Sequence, residues 1–457
     1  MLVYGDHVWE ERPRDQLGRI EQSLAGIWAM PGGIERHNAL VGAFIRLGEL
    51  AQGVTDAEFA ERKADARSVS TDAATRLLIR TARAVGRSWT SAFHDLGSSP
   101  LQAAQELREC DLPEAVRISL PEGYAFYALY PESYIDAAKA LRGQSLKIIG
   151  LRSIGTSLAA AVAAGANESD AVTARPIGHP FSRALALSDG LRRELLSDLA
   201  PRFAIADEGP GLSGSSFGCV ADFLEDGGVE RSRIHFFPGH AGELGPEASS
   251  RHRERWAAAR RHVTGFEALA LEAADPSHRL ERWVEDIVGK PAEPLIDTSA
   301  GIWRKHRYRS EPDWPPANPQ QERRKFVLRG ETGSWLLKFA GLGRYGEEKL
   351  TIGRVLAEAG MTPPVAGFRH GFLVERWLGD ASPLRPRAIA LPDLVEHLGH
   401  YLGFRARHLP APRPGASLEE LWTMASRNVG LALGEDMARR LERWKASLPR
   451  LARHVVP

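Results

Sequence analysis

Cysteine is nearly missing from this chain: Cys110 and Cys219 are the only two among 457 residues, far apart and outside any metal-ligand spacing. That excludes a disulfide framework and a cysteine-built zinc site, and it fits a reducing compartment. An excess of charge of either sign is missing too, since 59 Lys and Arg face 58 Asp and Glu. Without a global basic field, nucleic acid is not an expected partner. No window approaches about 18 uninterrupted apolar residues, so no membrane partner is expected. The opening stretch "MLVYGDHVWEERPRD" is charged and lacks the apolar segment of a secretory signal, which predicts a cytoplasmic protein. Internal repeats are also lacking. Composition leaves the oligomeric state open, a homo-oligomer included.

What is present divides into regions. At roughly 100 to 200 residues per domain the length suggests several units. Residues 1–115 read as helical, because "RHNALVGAFIRLGELAQG" and "AATRLLIRTARAVGRSWTSAF" space apolar residues by three and four. "LPEGYAFYALYPESY" alternates aromatics as a strand does. From residue 145, short continuous apolar runs alternate with helical stretches: "SLKIIGL", "SLAAAVAAGA", "AVTARPIG", "LRRELLSDLA", "RFAIADEG", "SFGCVADFLEDGG", "RIHFFPGH". Continuous rather than alternating apolar strands predict an α/β region with a doubly wound parallel sheet, over 116–290, closed by one long helical stretch around 250–272. Residues 291–325, rich in proline and charge, read as a linker. Residues 326–457 read as a small α+β unit with a helical tail.

The segment "FAIADEGPGLSGSSFG", residues 203–218, is the most telling. A buried strand ends on two acids, and a loop of glycines and small hydroxyls then opens a helix. In an open parallel sheet, ligands bind beyond the carboxyl ends of the strands. Free N–H groups at a helix start suit a phosphate, and a loop without bulky side chains lets that anion reach the backbone. Carboxylates beside a phosphate make sense when the ligand also carries vicinal hydroxyls for them to bind. A ribose 5-phosphate has both.

Strand, two acids, then a Ser-Gly-Ser loop, here "AIADEGPGLSGSS", resembles the phosphoribosyl-pyrophosphate signature of type I phosphoribosyltransferases. The resemblance implies that Asp207 and Glu208 hold the ribose hydroxyls. It also implies that Gly211, Leu212, Ser213, Gly214, Ser215 and Ser216 wrap the 5-phosphate. Four residues, Gly209 to Leu212, separate acids and Ser-Gly where the family pattern has three. "GLRSIGTSL", residues 150–158, is similar to the family's diphosphate loop, with Arg152 supplying charge and Ser153, Ile154, Gly155 and Thr156 the backbone cradle. Over roughly residues 120–265 the resemblance implies an Mg²⁺-dependent enzyme, the metal held mainly through substrate, that moves the phosphoribosyl group to a nitrogenous acceptor. A binding module that keeps the pocket without catalysis is the alternative.

Other segments carry secondary expectations. "ARPIGHPFSRAL", residues 174–185, is either a closing loop that brings Arg175, His179 or Arg183 to the diphosphate or a turn fixed by Pro176 and Pro180. Phe236 or Phe237 is a candidate to stack on an acceptor ring, and Tyr127 or Tyr130 to cover it; such aromatics more often pack as plain core. "SWLLKFAG", "GEEKLTIGRVLAEAG" and "FLVERWL" resemble the N-lobe of protein-kinase-like and aminoglycoside-phosphotransferase-like enzymes, which implies a pair between Lys338 and Glu347 or Glu348. No catalytic loop of those enzymes follows, so the unit reads as a kinase-like remnant used for docking or regulation, with a kinase-like phosphotransferase or an unrelated small α+β domain as the alternatives.

Overall fold

In a computed structural model of the chain, residues 8–211, 213–319, 322–384, 389–411 and 417–445 are described. The described residues form two units, one of Val8–Leu350 with Val365–Gly379, the other of Thr351–Pro364 and the described residues from Asp380 onward. The first opens with helices Pro13–Ala29, Ile34–Arg62, Val69–Thr90 and Leu101–Arg108. The three-and-four spacing is what buries Leu40, Val41, Phe44 and Leu47. Ser68 caps the third helix, accepting from Thr71 N while the Thr71 hydroxyl accepts from Ser68 N, a reciprocal cap that stabilises by about 1 kcal/mol.

The parallel sheet contains β1 (Leu146–Leu151), β2 (Val172–Ala174), β3 (Arg202–Ala206), β4 (Ile234–Phe237) and β5 (Arg260–Arg261), in the order β2-β1-β3-β4-β5. Every neighbouring pair is parallel. Both faces are covered. Ile148, Ala204, Ala206 and Phe237 join a core shared with the N-terminal helices, while Ile149, Leu151, Phe203, Ile205 and Phe236 join a second core. Helix Gly155–Ala166, half of it alanine, lies on the first face. On that side Gly48 sits where a Cβ would be 2.7 Å from Ser157, so the Ile34–Arg62 helix packs backbone-close to the start of this alanine helix.

Two expectations are corrected in this region. "YAFYAL" is not a strand: Val116–Ser119 pairs with Val8–Glu11, and the aromatics fall in the short helix Glu122–Phe126 and the turn after it. The helix expected around 250–272 stops at Ala258, because Ala259 is extended and the next two residues pair with β4. An arginine pair carries no strand signature, so β5 was not legible.

A second, antiparallel sheet has β6 (Ile296–Asp297), β7 (Lys325–Gly330), β8 (Gly333–Phe339), β9 (Val365–Arg369) and β10 (Phe372–Arg376), in the order β6-β7-β8-β10-β9. The proline-rich 291–325 segment is therefore more than a linker. It contributes the edge strand β6, and Thr298 N donates to Lys325 O. Phe326, Leu337, Phe339 and Phe372 share one core with Leu17, Leu40 and Ile148, so the pattern changes at 115, 290 and 325 mark changes of layer. In the other unit, helices Leu418–Leu433 and Glu435–Lys445 are joined by Trp422 donating to Glu442 and Lys445 to Glu419. No helix among the described residues is long and apolar enough to cross a membrane.

Candidate functional site

β1 and β3 are neighbours at the point where the strand order reverses, and the two loops singled out by sequence leave their carboxyl ends side by side. Glycines make that fit possible. A Cβ on Gly155 would lie 2.7 Å from the carbonyl oxygen of Ala206, the residue just before the acidic pair, and one on Gly150 would meet the Gly155 carbonyl. The first loop thus rests its backbone on the base of the second.

Asp207 and Glu208 are half-buried. Asp207 Oδ1 accepts from Glu208 N at 2.8 Å and its carbonyl accepts from Tyr134 Oη at 2.7 Å. Glu208 Oε2 accepts from Gly123 N at 3.1 Å. One oxygen of each carboxyl is without a partner among the described residues. Burial pushes the Asp207 carboxyl up to about 7, against the Glu208 N–H and the Arg175 guanidinium, which lower it. Burial, then Asp207 and Glu122, push Glu208 up to about 8. Two carboxyls of this kind are poised to accept hydrogen bonds from hydroxyls, and they gain from any cationic charge brought near.

Arg152 is not where its expected role needs it. Its guanidinium is wholly buried, with Nε 2.9 Å from Asp56, Nη1 3.0 Å from Thr173 Oγ1, and Nη2 paired with Asp65. Its charge is neutralised inside the protein and does not face a ligand. Arg175 shares the same acids, pairing through Nε with Asp56 at 2.9 Å and through its backbone N with Asp65. It stays partly exposed and is the cation whose field reaches Asp207. Both acids belong to the N-terminal region, about a hundred residues away in sequence, so no local pattern announced them.

The remainder of the first loop is bare backbone: Ser153 is half-buried, Ile154 is buried in the core, and Gly155 and Thr156 begin the helix. The Thr156 hydroxyl is buried with no hydrogen-bond partner, an unfulfilled group that calls for a ligand or a water.

The serine loop departs from expectation. Gly211 and Gly214 both have positive φ, and Gly214 caps helix Ser215–Asp226 without a side chain. Ser213 and Ser215 are buried, and their hydroxyls donate to the Pro180 carbonyl at 3.1 and 2.7 Å. That carbonyl is the tip of a β-hairpin, Pro176–His179 with Ser182–Leu185, folded over the loop. Two of the three hydroxyls expected to wrap a phosphate are thus engaged; Ser216 is half-buried, and Leu212 lies outside the described residues. Within the hairpin, His179 accepts from Phe181 N and Arg183 donates to Pro176 and Gly178 carbonyls.

No family model and no curated protein matches this chain. The site is therefore read from its own geometry, which decides for the core reading at Phe236, Phe237 and Tyr130 and corrects the expected lysine pair. Phe236 and Phe237 are fully buried, because β4 is an inner strand covered on both faces. Tyr130 is buried and donates to the His370 carbonyl, whereas Tyr127 is 52% exposed and hydrogen-bonded to Glu122 beside the acidic pair. Lys338 donates to Glu375 at 2.7 Å, its diagonal neighbour on β10, and not to Glu347 or Glu348. His240 was missed: its Nε2 is 3.2 Å from where Gly209 would carry a Cβ, so the ring covers the acidic loop. The tight Gly-His-Ala-Gly turn was its one sequence signal.

Proposed function

We propose that the two loops bind phosphoribosyl pyrophosphate and that the protein transfers its phosphoribosyl group to a nitrogenous acceptor. The observation that carries this reading is the seating of Gly155 on Ala206, which sets two side-chain-poor loops at neighbouring strand tips with an acidic pair between them. Asp207 and Glu208 accept hydrogen bonds from the ribose 2- and 3-hydroxyls through their unpartnered oxygens. The 5-phosphate meets the N–H groups that open helix Ser215–Asp226, beside Gly211 and Gly214, where the helix end favours an anion. The diphosphate lies over residues 153–156, within reach of the Thr156 hydroxyl. Tyr127, exposed at the same edge, is the aromatic placed to cover the acceptor.

The acceptor nitrogen forms a bond to C1 as the bond from C1 to diphosphate breaks, and the electron pair leaves with diphosphate. The free carboxylate oxygens are hard donors suited to Mg²⁺ carried in with the substrate, and the ion would neutralise the leaving diphosphate. The two acids, raised in pKa by burial, shift toward their charged forms when cationic charge develops on the ribose.

A non-catalytic sugar-phosphate binder is favoured by one observation, the engagement of Arg152, Ser213 and Ser215 within the protein. Calorimetry with phosphoribosyl pyrophosphate and Mg²⁺, followed by diphosphate release across a panel of bases, separates the two. Binding with no release from any base supports the binder; no binding at all sinks both.

A further inference from the structure

Apart from the residues of the loops, three titratable side chains from distant parts of the sequence meet in the core. His37 comes from helix Ile34–Arg62, Glu132 from helix Pro131–Ala138, and His370 from the turn between β9 and β10. All three side chains are fully buried. His37 Nε2 is 2.7 Å and His370 Nε2 3.1 Å from the same oxygen, Glu132 Oε1. One candidate ligand atom from each lies within 4.8 Å of the others.

The cluster is incompletely satisfied as a hydrogen-bond network. Both ring nitrogens of His370 lack a hydrogen bond of good geometry, and so does Glu132 Oε2. The surroundings are apolar and aromatic: Trp89, Phe93, Tyr130 and Trp283 pack around the imidazoles. A buried carboxylate among unfulfilled nitrogens is costly unless something shares its charge. His37 already has the outer contact of a metal-bound imidazole, since Nδ1 is 2.9 Å from Ser88 Oγ, which leaves Nε2 aimed inward. The His370 backbone is likewise fixed, its carbonyl accepting from Tyr130 Oη at 2.9 Å.

We propose that His37, Glu132 and His370 form a structural site for a divalent transition metal of the zinc class. Two imidazoles and one carboxylate are a donor set that zinc accepts at about 2.0–2.2 Å per bond, with a water completing four positions, and the full burial of all three side chains points to a structural role. Binding requires neutral imidazoles and an ionised carboxylate, so it releases any proton the histidines hold. The ion ties the N-terminal helices, the edge of the α/β layer and the antiparallel sheet at one point. The acidic loop site uses none of these residues, so the two readings stand or fall separately.

The test uses tag-free full-length protein expressed with added zinc. About one equivalent of zinc should stay with the chain through gel filtration, and a strong chelator should lower Tm until zinc is restored. Cobalt substitution should give the visible absorption of a low-coordinate site. His370→Asn, chosen because asparagine tolerates the positive φ at this position, and Glu132→Gln should each cut retained metal at least tenfold. If either variant fails to fold, the wild-type cobalt spectrum and chelator response decide. Metal-free wild type whose Tm ignores added zinc would overturn the proposal, as would variants that keep wild-type metal content; the cluster would then be a proton-shared His-Glu-His network.

Discussion

Asp207 and Glu208 tie stability to pH in a direction opposite to ordinary surface acids. Their folded pKa values, about 7 and about 8, lie above the usual 3.8 and 4.5, so between those limits the folded chain binds more protons than the unfolded chain. Stability is therefore expected to fall as pH rises from about 4 to about 8. Asp207→Asn keeps the acceptor for the Glu208 N–H and removes one charge. We expect it to flatten that slope, to gain about 1 kcal/mol at pH 8 after solvent screening, and to abolish diphosphate release. Denaturant melts at several pH values check the first two effects; an unchanged slope would refute the assignment. Asp65→Asn should do the reverse, because it removes one of the two counter-charges of the buried Arg152 guanidinium. A loss of about 3 kcal/mol is expected, read from the same melts. The acids were legible in the sequence because they interrupt an apolar strand. The burial of Arg152 was not, since its partners Asp56 and Asp65 are remote in the chain and only the fold brings them near.

Among the elements, the alternation of short apolar runs with helices was enough to place β1 to β4 and their parallel pairing. The same reasoning failed where elements are short or set by their neighbours. β6 and β5 have two residues each and exist because an adjacent strand offers unpaired backbone groups. Val116–Ser119 was overshadowed by the aromatics after it, whose alternation came from a helix and a turn. The loop elements were legible as anion-suited and residues 174–185 as a closing loop or a proline-fixed turn, but the docking of that hairpin on the serine loop was not, since Pro180 gives no hint that its carbonyl will accept two serine hydroxyls. Gly155→Ala tests the seating of one loop on the other. The added methyl must displace the Ala206 carbonyl, and we expect a loss of about 1–3 kcal/mol together with at least tenfold weaker binding of phosphoribosyl pyrophosphate by calorimetry. Binding at wild-type affinity would show that the seating does not shape the site.

At the scale of the molecule, the N-terminal helices and their connections are part of the α/β layer's interior. They supply Asp56 and Asp65 to the strand tips and cover the alanine helix Gly155–Ala166, whose residues are almost all buried. A chain beginning at residue 116 would leave Arg152 without its counter-charges and expose that apolar helix. We expect it to aggregate or to lose near-ultraviolet circular dichroism; a cooperative melt in the truncated chain would refute this. Periodicity could separate the regions but could not reveal that one core joins Leu17 to Val374, because contacts between distant segments leave no local trace.

The parallel sheet, finally, has unequal sides. On one, Gly150, Ala204 and Ala206 are pressed by an alanine helix; on the other, Phe203, Ile205 and Phe236 meet larger, branched neighbours. Exchanging Ile205 for valine or leucine asks neighbours only to repack, whereas enlarging Ala204 forces main chain apart. Sequence drift in descendants of this protein has room on one surface of the sheet and almost none on its reverse.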